Sequence, residues 1–152
     1  MADQSAVEQK PFLQRVIDRC ELTSTNDAQV ASKVVFRLLR DMMPTQEVQK
    51  VEAELKESAQ DTKNVNVGDL WGDPNVMVAF FSRVSPLRQL GINYGTFMLR
   101  LKQEGALPEG IAPENVTQAV FSATKEDLPV ERVSEISRFI SDDQIRQMWE
   151  QA

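Results

Sequence analysis

The chain has 152 residues, 41% hydrophobic and 26% charged, with 23 acidic against 17 basic side chains and a net charge of −6. That balance belongs to a folded globular protein that needs no disulfide or metal for stability. It counts against a nucleic-acid role, in which Lys and Arg displace counterions from phosphates.

Histidine is absent and Cys20 is the only cysteine. This excludes an intrachain disulfide, a cysteine metal cluster, the Ser-His and Cys-His nucleophile pairs and the usual zinc sites. No apolar run approaches the roughly 20 residues that span a bilayer. The polar start Met1-Ala-Asp-Gln-Ser has no secretory pattern, so a cytoplasmic protein is expected.

Residues 1–9 are polar and expected to fray. Pro11 suits the first position of a helix, where its missing N–H costs nothing, and Phe12, Leu13, Val16, Ile17 and Cys20 follow on one face. Thr23 to Asp27 is a polar break in which Asn26 or Asp27 can cap a helix carrying Val30, Val34, Val35, Leu38, Leu39 and Met42. Beyond Pro44, Val48, Val51 and Leu55 point inward, with Glu47, Lys50, Glu54 and Lys56 outward. Residues 58–69 lack periodicity and read as a loop ending at Leu70-Trp71.

Asp73-Pro74 opens an apolar stretch with Val76, Val78, Phe80, Phe81 and Val84, expected to be a central bridging helix stopped at Pro86. Tyr94 starts another helix that Gly105 closes. Pro113 opens one running to about Asp127, Pro129 opens the next, and Ser141-Asp142-Asp143 caps a last one with Ile145, Met148 and Trp149. The expected fold is all-α, with about seven to eight helices in a single domain over 10–152.

An internal repeat organises the chain. An offset of 85 residues pairs Phe12 with Phe97, Arg15 with Arg100, Phe36 with Phe121, Pro44 with Pro129 and Val48 with Val133. Trp71 then pairs with Trp149 at an offset of 78, so the first copy carries a loop longer by seven residues. Scarce residue types agreeing in one register point to two pseudo-symmetric three-helix units, 10–72 and 93–152, joined by 73–92.

Residues 12–152 resemble a bacterial family known only as domain of unknown function 2267, and its cyanobacterial members in particular. The match is carried by Val35-Phe36-Arg37-Leu38-Leu39-Arg40-Asp41, Asp69-Leu70-Trp71, Phe81-Ser82-Arg83-Val84-Ser85-Pro86-Leu87 and Ala119-Val120-Phe121-Ser122-Ala123-Thr124-Lys125, with Met148-Trp149-Glu150 closing it. The resemblance implies an all-helical fold. It brings no activity and no functional residue.

The candidate sites are few. Trp71 and Trp149 either plug the open ends of their units or serve as exposed partner anchors. Arg83 and Arg88 flank the turn at Pro86 and can present two guanidiniums to a carboxylate or phosphate. Lys33, Arg37 and Arg40 form a basic stripe, read as a solvated face or as a surface for an acidic partner or an RNA backbone. Glu126-Asp127 and Asp142-Asp143 are neighbours on helices and poor acid/base pairs, and Cys20 reads as an inert core residue. No catalytic, cofactor or metal site is expected. The reading is a non-enzymatic protein–protein interaction module, monomeric or homodimeric. A small-molecule carrier with an apolar cavity beside Phe80 and Phe81 is the alternative, and RNA binding the third.

Overall fold

Ser24 starts the longest helix. Its hydroxyl accepts from the backbone N–H groups of Asn26 and Asp27, and Thr25–Asp41 (α2) follows. The cap thus lies two residues before the expected Asn26, because the first turn leaves N–H groups that the side chain at its entrance can reach. Ser24→Ala is expected to lower stability by about 1 kcal/mol, read as a small drop in thermal midpoint.

The structure, a computed structural model, describes residues 11–58, 67–71 and 92–152. Among the described residues there are eight helices and no strand. Besides α2 they are α1 (Phe12–Asp18), α3 (Thr45–Ser58), α4 (Val67–Trp71), α5 (Tyr94–Glu104), α6 (Pro113–Glu126), α7 (Val130–Phe139) and α8 (Asp143–Gln151). The protein is all-α. The frayed start, the bridging helix expected at 76–84, and with it Arg83 and Arg88, lie outside the described residues.

Among the described helices, four make the centre of the core. α1 packs on α2 and α6, α5 packs on α2 and α6, and α2 touches α6 directly. α2 buries Ala28, Ala31, Val34, Val35, Leu38 and Leu39, and α6 buries Val116, Ala119, Val120 and Ala123. These are the spacings of three and four residues that put apolar side chains on one helical face. Among the described helices, α2 and α6 therefore hold the central place.

Two arms leave this core through proline turns. After Pro44, α3 packs against α4, which returns to α2; after Pro129, α7 packs against α8, which returns to α6. A tryptophan seals each arm. Trp71 stands edge-on to Phe36 with centroids 5.3 Å apart, and its Nε1 donates to the carbonyl of Val48 at 2.9 Å. Trp149 stands edge-on to Phe121 at 5.2 Å, and its Nε1 donates to the carbonyl of Val133 at 3.0 Å. Both indoles are fully buried with their N–H paired, so each adds a large apolar contact with no orphaned donor. Neither is an exposed anchor.

Three expectations are corrected. Glu47 is buried rather than outward-facing, because Arg132 from the other arm neutralises it. Cys20 lies beyond the end of α1 and is only half-buried. Gly105 does end α5, but with φ −79°; the left-handed position is Ala106, at φ 51°.

Candidate functional site

The last turn of α1 and the following residues lie beside α6. Proline at 113 ends the preceding loop and starts α6, so that Asn115, Gln118 and Ser122 fall on one side of it. Between them runs an open groove of about 560 Å³, lined by Asp18, Arg19, Cys20, Asn115, Gln118 and Ser122, with residues 151–152 also in its lining. Asn115 and Gln118 are exposed; Asn115 Nδ2 donates to Glu21 at 3.5 Å, and the amide oxygens can still accept from an occupant.

Arginines tie α1 to α6 along the groove's edge. Arg19 Nη1 donates to Ser122 Oγ at 2.9 Å, and Arg19 Nη2 to Glu126 at 2.8 Å. Arg15 donates to the carbonyl of Ala123, to Glu126 and to Asp127, the last two at 2.9 Å. Glu126-Asp127 is thus an anchor for two guanidiniums and not a catalytic pair.

Burial by itself would raise the Glu126 carboxyl, but the hydrogen bonds from Arg19 and Arg15 outweigh it and hold the group below its ordinary value. A folded-state pKa below the unfolded one gives stability that is present above the unfolded value and lost as pH falls through the folded one. Glu126→Gln is therefore expected to narrow its stability deficit against wild type as pH drops from 7 towards 3. Parallel melting-temperature profiles would contradict this.

Cys20 lines the groove, and its thiol donates to the carbonyl of Val16 at 3.2 Å. Burial pushes the thiol up, so little thiolate forms near neutrality and the group is a poor nucleophile. Tyr94 donates to Glu114 at 2.8 Å; burial and that carboxylate raise the phenol. Among the described residues no group of three or more Cys, Asp or Glu is placed to hold a metal ion.

The basic stripe lies along α2, and Arg37 within it pairs with Glu104 on α5. Arg40 and Lys33 are half-buried on the same helix. Asp142 caps α8 by accepting from Ile145 N–H at 3.0 Å and also accepts from the N–H of Tyr94 at 2.9 Å. Lys125 reaches across to the carbonyls of Trp149 and Ala152 at 2.6 and 3.0 Å, neutralising the negative end of α8. The groove side chains Arg19, Gln118 and Ser122 escaped the sequence reading, since polar residues on an exposed helix face carry no signature of their own.

Fold and groove together define an all-helical protein with an open polar groove and an extensive set of interhelical ion pairs. The chain belongs to the family of uncharacterized conserved proteins DUF2267, whose model matches residues 9–148. No curated protein matches it. Among the described residues no helix is long and apolar enough to cross a membrane.

Proposed function

We propose that this chain is a non-enzymatic, cytoplasmic protein–protein interaction module built from two copies of one unit. The duplicated architecture is supported by the two tryptophan seals. Phe36 and Phe121, Val48 and Val133 are related by one offset, and each tryptophan makes the same ring contact and the same carbonyl bond in its own half. Reciprocal packing supports it too: α1 lies on α6 and α5 lies on α2.

The observation that carries the interaction reading is the groove. Its exposed amides suit the polar groups of a protein segment, and its open shape admits a chain rather than enclosing a small molecule. The apolar cavity expected beside Phe80 and Phe81 falls outside the described residues.

The test is cross-linked affinity capture from host lysate with three baits: wild type, Gln118→Trp/Ser122→Trp, which fills the groove, and Arg83→Ala/Arg88→Ala. A protein held by wild type and lost from the groove-filled bait is the expected result. Retention that neither substitution touches removes the groove from the reading, and empty capture by folded bait removes the reading itself.

A further inference from the structure

The groove beside α6 has three ionic side chains in its lining, Asp18, Arg19 and Glu21. Arg19 is already committed. One Nη donates to Ser122 and the other to Glu126, so its charge is neutralised at the groove's edge. Asp18, exposed at the end of α1, accepts from Gln14 Nε2 at 3.0 Å. Glu21 is exposed too and accepts from the Asn115 amide at 3.5 Å, and no cation among the described residues pairs with it. Burial is the main cause of the raised Cys20 thiol, and the Glu21 charge adds to it, which puts that charge at the groove wall.

The fold does not require this carboxylate. The offset of 85 residues sets Glu21 against Ala106, Asn115 against Val30 and Gln118 against Lys33. At the same offset Phe36 meets Phe121 and Val48 meets Val133. Residues that packing needs agree between the two halves, whereas those that line the groove differ in charge and polarity.

We propose that the groove takes a partner segment bearing lysine or arginine, and that Glu21 is the counter-ion that selects it. This rests on the reading of the groove as a protein-binding site. An ammonium or guanidinium entering beside Asn115 meets a carboxylate that no cation holds, and the amide oxygens of Asn115 and Gln118 accept its further N–H groups. An acidic segment would set its carboxylates against Glu21 and Asp18, and like charges facing across an interface oppose binding. The pair stays in reach of water, so its charge sets preference more than strength. Its loss is worth about two- to fivefold in affinity.

The experiment pans a random-peptide display library on folded wild type and on Gln118→Trp/Ser122→Trp. Groove-dependent binders are those held by the first and lost from the second, and they are expected to be richer in lysine and arginine than the library. Synthetic copies are expected to bind Glu21→Gln about two- to fivefold more weakly and to lose affinity as salt rises. They are expected to ignore Glu131→Gln, an exposed acid of α7 outside the groove lining. Panning on Glu21→Lys is expected to replace basic binders by acidic ones, and this arm does not depend on the tryptophan variant. Groove-dependent peptides with no basic excess overturn the proposal and leave the groove reading standing. Equal loss from Glu21→Gln and Glu131→Gln also overturns it, since binding then follows net charge alone. If no peptide depends on the groove, the proposal and the groove reading fall together.

Discussion

Trp149→Ala is expected to cost about 3–5 kcal/mol and to lower the melting temperature by on the order of 10 °C. The indole is completely buried, stands edge-on to Phe121, and donates to the Val133 carbonyl. Truncation removes the ring contact and the indole's bond to the Val133 carbonyl and leaves a cavity between α6, α7 and α8. Trp149→Phe separates these effects. It keeps a ring beside Phe121 but loses the N–H donor and some of the indole's packing volume, with an expected cost of about 1–2 kcal/mol. Thermal unfolding followed by circular dichroism reads both. A shift below about 3 °C for the alanine variant would mean that α8 is not held by this side chain.

Gly105→Ala is expected to lose about 1–3 kcal/mol, a larger effect than an exposed helix end normally shows. The reason is not a left-handed backbone, since φ is −79°. A Cβ placed there would lie 2.5 Å from the Leu101 carbonyl oxygen and 3.0 Å from Leu101 Cδ1, with the Ala31 Cα at 3.6 Å. The Gly105 N–H donates to that same carbonyl at 2.8 Å, so relief of the clash pulls on the last bond of α5. The neighbouring Ala106 behaves oppositely. Its φ of 51° costs an L side chain energy, and Ala106→Gly is expected to recover about 0.5–1 kcal/mol. Denaturation midpoints of the two variants should therefore move in opposite directions. Movement of both in one direction would contradict the account.

Local signals were readable because their physics is local. Pro11, Pro113 and Pro129 stand at helix entrances, since a missing N–H and a restricted φ are tolerated there whatever the rest of the chain does. The apolar faces of α2 and α6 follow from spacings of three and four residues. The buried state of Trp71 and Trp149 was one of two open readings, and burial against Phe36 and Phe121 decided it.

The candidate site was far less legible. Lys33, Arg37 and Arg40 show as a stripe because a helix repeats every 3.6 residues, yet whether a charge in it is free depends on what another helix brings. Glu104 arrives from α5 and pairs with Arg37. Asn115, Gln118 and Ser122 look like any solvated helix face until the end of α1 lies beside them and makes one wall of a groove. Cys20 follows an apolar face in register but lies past the last turn of α1, where the helix no longer directs it inward.

By itself the sequence determined the all-α class, the helix entrances marked by proline and the register in which Phe, Pro and Trp recur. These depend on neighbours within a few residues, or on composition alone. Only the tertiary structure decided that Glu47 is buried, that Arg132 serves both arms, that Gly105 is required by the Leu101 carbonyl, and that a groove opens beside Ser122. Each of those depends on the meeting of atoms from separate helices or on the exact closing of a turn. A charge is paid for by a partner whose distance along the chain carries no information about its distance in space.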